Sequence, residues 1–219
     1  MIKVITAPPS PYGRKVEVSL REKGIKYDVE YDLPWSKGTC VADFSPLQQL
    51  PILLADDGEV LYDSTFILEW LEDHYPSPSL RPESSREALI DKKLQVLGER
   101  LMEIASMVIF ELQRDVPSQA WLDRQTRKMV GGVEELERIV SEHRRGDIEN
   151  IMYGDIAVST TLLMYDFVYE TGFGGDIEAF VWRDGNKSLS AYIANIERRP
   201  SFQETKPRPQ PNDLKDTLR

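Results

Sequence analysis

Three prolines within seven residues divide this chain into two parts that differ in their hydrophobic pattern. They stand at positions 76, 78 and 82 of the segment YPSPSLRP, residues 75–82. Because proline lacks a backbone N–H and clashes with the preceding helical turn, neither a helix nor a central strand can continue through this segment. The sequence therefore predicts one domain at residues 1–76, a linker at 77–84 and a second domain that begins at residue 85.

The first part of the chain alternates between strand and helix patterns. An apolar run at Ile2, Val4 and Ile5 is typical of a buried strand, and Ser10-Pro11 follows as the N-cap and first residue of a helix. The remaining elements predicted for this part are strands at residues 27–33, 51–54 and 59–62 and a helix at 64–74. This order indicates an α/β domain.

The second part carries apolar residues at alternating steps of three and four, which is the period of amphipathic helices. Two long helices are predicted, one over about residues 85–113 and one that ends near residues 145–146, and their short connection favours antiparallel packing. The segment at residues 156–169 is apolar on nearly all sides, so it belongs in the middle of a bundle. A short helix is expected near residues 176–182 and a last one before Pro200. We therefore expect an all-helical domain over 85–203, followed by an extended, proline-containing tail at 204–219.

Composition and charge exclude several classes of protein. The 219 residues carry a formal net charge of −10, which argues against nucleic acid as a partner because phosphate binding needs a basic surface. No apolar run approaches the ~18 residues that a membrane span needs, and the first ten residues lack the apolar core of a signal peptide. A cytoplasmic enzyme or binding protein is therefore expected, with no membrane partner.

Few residues in this chain are suited to metal or redox chemistry. Cys40 is the single cysteine, which excludes an intrachain disulfide and a CxxC redox pair and favours a structurally idle thiol. The two histidines, His74 and His143, are far apart in sequence, so the usual spacing of a zinc site is missing. We therefore expect no metal.

Three short motifs together resemble the glutathione S-transferase superfamily, and the likeness extends over most of the chain. They are SPYGRKV at residues 10–16, Leu50-Pro51 and YDS at residues 62–64, and RPSF at residues 199–202 adds a further likeness. The pattern is most similar to small bacterial transferases of the serine type. The resemblance implies an α/β plus all-α architecture, the GST fold, in which an N-terminal thioredoxin-like domain precedes a C-terminal helical bundle. It also implies a role in detoxification and a twofold homodimer.

The resemblance assigns the catalytic role to Ser10. A thiol of the glutathione type has a pKa near ~8.5, so only about 3% of it is thiolate, the nucleophilic form, at neutral pH. In the family the matching serine donates a hydrogen bond to the sulfur, and the helix N-terminus behind it favours negative charge. From the residues alone Ser10 is a helix cap. The neighbouring Tyr12 is a rival donor.

Four further residues would hold glutathione if this chain follows the family. Pro51 resembles a proline held in the cis form, which bends the chain so that the N–H and C=O of Leu50 can pair with the cysteinyl part of glutathione. Asp63 would meet the γ-glutamyl ammonium, and Ser64 with the helix dipole would meet its carboxylate. An Asp-Ser pair before an apolar helical run is also an ordinary N-cap signature, and both roles can hold at once.

The sequence departs from the family's pattern at two places. Gln49 stands where many relatives have a lysine, so it can hydrogen-bond the glycyl carboxylate but brings no charge. Lys37, in an upstream loop, is the candidate for the missing positive charge, although a solvated loop lysine is an equal interpretation. At the start of the central helix Met152 replaces the usual Ser or Thr, which leaves only the acid Asp155 of the capping box.

The activity implied by the resemblance is that of a glutathione transferase. Glutathione, as the co-substrate, would add through its thiolate to a small hydrophobic electrophile held between the domains against Met102, Ser106 and Phe110. A non-catalytic module that binds glutathione or a protein partner could use the same fold. A thiol-disulfide oxidoreductase is disfavoured, because Ser10 and Gly13 stand where its cysteine pair would be.

Overall fold

The structure, a computed structural model, describes residues 1–143 and 149–210. Its N-terminal part contains a four-stranded sheet made of β1 Ile2–Thr6, β2 Tyr27–Tyr31, β3 Ile52–Leu54 and β4 Val60–Leu61. The strands stand in the order β2-β1-β3-β4. The first strand of the chain is therefore one of the two inner strands.

Strand β1 is inside the sheet because it is apolar on both faces. It pairs in parallel with β2, in the register Val4↔Val29, and antiparallel with β3, in the register Val4↔Leu53. Ile2, Val4 and Ile5 are almost fully buried, as expected of a strand that is covered on both sides. The apolar run at the start of the chain is thus confirmed as a buried strand.

Eight α-helices occur in the described part of the chain, and those after the linker pack against one another. They are α1 Pro11–Glu22, α2 Val41–Phe44, α3 Ser64–His74, α4 Ser85–Leu112, α5 Gln119–His143, α6 Tyr153–Thr171, α7 Lys187–Glu197 and α8 Pro200–Gln203, with a 3-10 turn at Glu178–Phe180 between α6 and α7. The sheet with its helices followed by a helical bundle confirms the predicted fold class.

Several predicted boundaries differ from the structure. The second strand ends at Tyr31 rather than at residue 33, and the short helix near 176–182 is only a 3-10 turn. The predicted end of α5 near residues 145–146 lies outside the described residues. Residues 75–84 form neither helix nor strand, and the domain boundaries placed around them stay predictions.

Helix α6 runs through the middle of the bundle, as its apolar sequence predicts, and it approaches α4 closely. A Cβ atom at Gly98 of α4 would stand 2.8 Å from the carbonyl carbon of Ala157 on α6, so only glycine allows this contact. Thr161 crosses the same contact, because its Oγ1 donates to the Gly98 carbonyl at 2.9 Å. The helical domain is therefore organised around the α4–α6 pair.

The segment that joins the two parts is held by a buried ion pair. The Lys23 ammonium lies 2.7 Å from Glu72 Oε2 and also donates to the carbonyls of Tyr75 and Pro78. Tyr153 of α6 donates to the same carboxylate oxygen at 3.0 Å. Burial opposes ionisation of Glu72, but these bonds outweigh it and keep the pKa of its carboxyl below the usual range. This cluster links α1, α3, α6 and the linker.

The chain after α8 forms neither helix nor strand over residues 204–210, but it does bury surface. Thr205 is buried, and the backbone N–H of Arg208 donates to the Pro8 carbonyl at 3.2 Å. The segment is held because the buried guanidinium of Arg14 needs acceptors, which the Phe202 carbonyl at 3.1 Å and Thr205 supply. Residues 211–219 of the predicted tail lie outside the described residues.

The start of α6 depends on Asp155, a fully buried carboxylate. Its Oδ2 accepts from the Met152 backbone N–H at 2.8 Å, and its Oδ1 accepts from the Tyr192 hydroxyl of α7. The half of the capping box that the sequence retains is therefore formed, although methionine occupies the cap position. Removing a buried acceptor of this kind takes one hydrogen bond from each of its donors.

We predict that Asp155→Ala lowers the free energy of unfolding by about 2 kcal/mol, because it removes a helix cap and the buried hydrogen bond from the Tyr192 hydroxyl. For a chain of this length that corresponds to a fall of roughly 4–8 °C in the melting temperature. Asp115→Ala, which removes an exposed carboxylate, should change it by less than about 0.5 kcal/mol. Calorimetry measures both, and equal melting temperatures would contradict the assigned role.

Candidate functional site

A cleft of about 1110 Å³ separates the sheet domain from α4 and α6. Its lining comes from the turn before α1, the loop before β3, the first turn of α3 and one face of α4. Pockets for drug-sized ligands occupy roughly 300–1,000 Å³, so this cleft is slightly larger than that range.

Ser10 lies in this cleft at the N-terminus of α1. Its Oγ accepts from the Gly13 N–H at 3.1 Å, which confirms the predicted N-cap. Glycine is required at position 13, because a Cβ there would stand 1.8 Å from Thr6 Oγ1 at the end of β1. A hydroxyl that accepts one bond still has its own proton to donate, so capping leaves Ser10 able to bind an anion.

Tyr12 is the second hydroxyl of the cleft. Burial raises the pKa of its phenol to about 12, an effect that Glu103 and Glu99 reinforce and that Ser106 on α4 partly opposes. The phenol is therefore protonated at every physiological pH and can act only as a neutral O–H group. The structure places Ser10 and Tyr12 in one cleft, so both predicted donors are available there.

The loop before β3 forms another part of the lining. Gln49, Leu50 and Pro51 all line the cleft, and the Leu50-Pro51 peptide bond is cis, in agreement with what the family resemblance implies. Gln49 is exposed to solvent and Leu50 is half-buried, so both can be reached by a ligand.

The backbone N–H groups in the first turn of α3 are capped by a carboxylate. Asp63 Oδ1 accepts from the N–H groups of Thr65 at 2.9 Å and Phe66 at 3.2 Å, which confirms the predicted N-cap. Asp63 itself is exposed, whereas Ser64 is 3% exposed, and both line the cleft. The predicted acid-serine pair therefore lies beside a helix N-terminus, where a carboxylate ligand is stabilised.

A fully buried lysine under the cleft was missed by the sequence analysis. The Lys15 ammonium lies 2.8 Å from Glu99 Oε1 on α4, and the Thr65 hydroxyl donates to the same oxygen at 3.0 Å. Burial lowers the pKa of Lys15, and the Glu99 carboxylate opposes this shift. One signal was present: Lys15 stands three residues after Tyr12 and beside Val16, on the apolar stripe of α1.

One side of the cleft is lined by aromatic and aliphatic side chains. The ring of Trp35 meets the ring of Phe110 edge to face, with centroids 6.0 Å apart. Further apolar side chains in this part of the cleft are Met107, Ile109, Met164, Phe167, Val168 and Phe173. Of these lining residues, Phe110 was predicted from the sequence, whereas Trp35 and the residues of α6 were not.

Nine of the eleven predicted site residues line the cleft, and two do not. Ser10, Tyr12, Gln49, Leu50, Pro51, Asp63, Ser64, Ser106 and Phe110 all line the cleft. Met102 does not, because it packs in the hydrophobic core and is fully buried, whereas the cleft face of α4 passes through Glu99, Glu103 and Ser106. Lys37 is exposed in its loop and does not line the cleft, although Trp35 from the same loop does.

Within residues 1–143 and 149–210, no group of His, Cys, Asp and Glu side chains is arranged to hold a metal ion. None of the helices there combines the length and apolar character that crossing a membrane requires. The Cys40 thiol donates to Asp32 Oδ2 at 3.2 Å, and this bond to a carboxylate raises the pKa of Cys40. A thiol that stays protonated is a poor nucleophile.

Comparison with known proteins gives matches over nearly the whole chain. The glutathione S-transferase N-terminal domain family matches residues 9–74. A glutathione S-transferase from Methylobacterium radiotolerans, solved in complex with glutathione sulfonate, is 33% identical, with 97% of each chain covered and a TM-score of 0.86. A second, from Methylobacillus flagellatus with glutathione bound, is 27% identical, with 94% of this chain and 100% of that chain covered and a TM-score of 0.83.

One relative known from its sequence also spans the chain. The uncharacterized GST-like protein YibF of Escherichia coli is 28% identical over 209 residues, which is 94% of this chain and 98% of that protein.

We predict that Glu99→Ala lowers the free energy of unfolding by about 3–5 kcal/mol, because it leaves the Lys15 ammonium buried without a carboxylate. Adding Lys15→Met to Glu99→Ala should recover part of that loss, since no unpaired charge then remains. Arg100→Ala on the same helix is the control: it breaks a pair with Glu103 whose side chains are 70% and 49% exposed, and it should change stability by less than about 1 kcal/mol. Urea unfolding of the four proteins measures this, and equal losses for Glu99→Ala and Arg100→Ala would contradict it.

Proposed function

We propose that this chain, which belongs to the glutathione S-transferase superfamily, adds the thiolate of glutathione to a hydrophobic electrophile. Membership of the family supports transferase chemistry with glutathione, whereas the roles of individual residues are our proposal. The observation that carries it is the Ser10 hydroxyl at the N-terminus of α1, inside the large cleft. Its oxygen accepts a hydrogen bond from the Gly13 N–H of the helix, and its O–H group can donate to a ligand.

The proposed role of Ser10 is to stabilise the thiolate. The hydroxyl donates a hydrogen bond to the sulfur, and the N-terminus of α1 adds its positive potential. Lowering a thiol pKa by ~2 units needs about 2.7 kcal/mol of selective stabilisation, and a hydrogen bond to a charged group contributes roughly 1.5–3 kcal/mol. One hydroxyl and one helix terminus are therefore sufficient in magnitude.

The rest of glutathione is proposed to follow the lining of the cleft. The backbone of Leu50, before cis-Pro51, pairs with the cysteinyl unit, and Gln49 bonds the glycyl carboxylate. Asp63 meets the γ-glutamyl ammonium, while Ser64 and the first turn of α3 meet its carboxylate. The exposure of Asp63 and the position of Ser64 at the N-terminus of α3 support these assignments.

The second substrate is proposed to bind on the aromatic side of the cleft. Ser106 and Phe110 of α4 and the neighbouring Trp35 supply an apolar surface with one hydroxyl. In the reaction the thiolate sulfur attacks the electrophilic carbon, the carbon–sulfur bond forms, and a leaving group such as halide departs with its electron pair. A thiol-disulfide exchange role is not supported, because Cys40 does not line the cleft in the described part of the chain.

We also propose that the chain forms a homodimer, which exposed apolar side chains on α3 and α4 support. Phe66 is 52% exposed, and Leu89 and Val96, at 74% and 49%, stand seven residues apart on one face of α4.

Light scattering at micromolar concentration should therefore give about twice the 25.1 kDa mass of one chain. Replacing Val96 by Glu should lower that mass toward one chain, whereas the same replacement at Val116, which is 84% exposed in the α4–α5 turn, should not. A monomer for the unmodified chain would contradict the proposal.

We predict that Ser10→Ala lowers the rate of conjugation with an aryl halide at least tenfold at neutral pH, or about 1.4 kcal/mol of transition-state stabilisation. The loss should shrink at alkaline pH, where glutathione ionises unaided. Glutathione affinity should change far less, because its other contacts remain. The measurement is the pH–rate profile of both proteins, with Tyr12→Phe as the matched control.

Each alternative gives a different result in that experiment. Identical profiles for the unmodified chain and Ser10→Ala would remove Ser10 from the mechanism, and a shifted profile for Tyr12→Phe alone would assign the donor to Tyr12. Glutathione binding without conjugation by any of the three proteins would favour the non-catalytic module.

A further inference from the structure

The segment after α8 returns to the N-terminal domain beside the proposed site. Residues 206–210, which we call the strap, follow Thr205, whose hydroxyl donates to the Ser201 carbonyl at 2.7 Å. The buried guanidinium of Arg14 on α1 bonds the Phe202 carbonyl at 3.1 Å and lies over the Phe202 ring. Contacts with Arg14 of α1 therefore fix the position of the residues from which the strap begins.

Arg208 then attaches the strap to the turn that carries Ser10. Its backbone N–H donates to the Pro8 carbonyl at 3.2 Å, and its guanidinium donates to the Tyr31 hydroxyl at 2.7 Å. The same guanidinium lies 5.3 Å from the centre of the Tyr31 ring. Two independent contacts thus hold this residue against the mouth of the cleft.

The attachment brings Pro209 and Gln210 into the lining of the cleft, together with Pro9 and Ser10. Gln210 Oε1 is buried and has no hydrogen-bond partner within the described residues. A buried acceptor without a donor is unfavourable, and native structures rarely keep one without a reason. An N–H or O–H group on a ligand in the cleft would supply the missing donor.

We propose that the strap forms one wall of the second-substrate subsite and that Gln210 selects electrophiles carrying an N–H or O–H donor. This inference rests on the proposed glutathione transferase function and deepens it. In this proposal Gln210 determines which electrophile binds and takes no part in the attack of the thiolate sulfur. Pro209 contributes a rigid apolar surface beside the amide, because its ring fixes one backbone dihedral.

Binding of glutathione conjugates tests this without requiring turnover. Isothermal titration calorimetry would compare glutathione, S-(4-methylbenzyl)glutathione and S-(4-hydroxybenzyl)glutathione, of which the last two differ by a methyl and a hydroxyl group of similar size. Four proteins are needed: the full chain, a chain ending at Gln210, a chain ending at Thr205, and Gln210→Leu. The chain ending at Gln210 is the control for truncation, since it removes only residues outside the strap.

The expected results separate the wall from the amide. Ending the chain at Thr205 should leave glutathione affinity within about twofold and weaken both conjugates about tenfold or more. Gln210→Leu should weaken the hydroxybenzyl conjugate about fivefold, the worth of one ordinary hydrogen bond, and leave the methylbenzyl conjugate unchanged. The chain ending at Gln210 should bind all three ligands as the full chain does.

Three results would overturn the inference. Unchanged conjugate affinity in the chain ending at Thr205 would show that the strap is no wall, and equal effects of Gln210→Leu on the two conjugates would remove the amide's role. If the shorter chain fails to fold, the Gln210→Leu comparison alone decides. No binding of glutathione by the full chain would overturn the proposed function, and this inference with it, which distinguishes that failure from the other two.

Discussion

Helix α1 and its C-cap residue Lys23 carry four charged side chains that are wholly or largely buried, and each one is paired with residues distant in sequence. A buried charge is tolerated only when it is paired or hydrogen-bonded, so these contacts restrain where the partners can lie. Arg14 binds the Phe202 carbonyl and Thr205; Lys15 binds Glu99; Glu22 binds Arg199 and Ser201; and Lys23 binds Glu72. The linker, α4 and the end of the bundle are thus all positioned by one helix.

The site inherits this restraint because Ser10 caps that same helix. The close approach of Gly13 to Thr6 sets α1 against β1, and the pair between Lys15 and Glu99 sets it against α4. The distance between the hydroxyl and the aromatic wall of the cleft therefore depends on how α1 packs against β1 and α4. A substitution at Lys15 would therefore change the position of Ser10, although the two side chains hydrogen-bond to different groups.

Elements with a strong local signal could be predicted from the sequence. Helix α3 has an Asp cap, an apolar stripe and a proline-rich stop, and its predicted bounds match the structure. The N-caps at Ser10 and Asp63 follow from the chemistry of their side chains alone. By contrast, strand ends depend on which neighbours pair, and the predicted second strand continues two residues beyond its partner, since its ladder with β1 ends at Tyr31.

The site was less predictable, and the reasons are physical. Most of its residues came from resemblance to a family, because spacing alone gives caps and a turn rather than a cleft. Met102 was misplaced because one residue, or about 100° around a helix, separates the core face of α4 from its cleft face. Lys37 was placed in the site, and its neighbour Trp35 was not, because a loop has no periodicity to indicate which side chain faces the cleft. The partner of Lys15 is 84 residues away, beyond any local pattern.

The contact between Arg208 and Pro8 joins positions two hundred residues apart, and this has a consequence for the order of synthesis. At about 5–20 residues per second, Arg208 is added about 10–40 s after Pro8. Ser10, Leu50 and Asp63 are all translated long before the strap, so the part of the cleft that they line can be assembled before Pro209 and Gln210 join the lining. The nascent chain would then hold an open, apolar surface beside Trp35 and Phe110 until translation is nearly finished, which is a surface that chaperones bind.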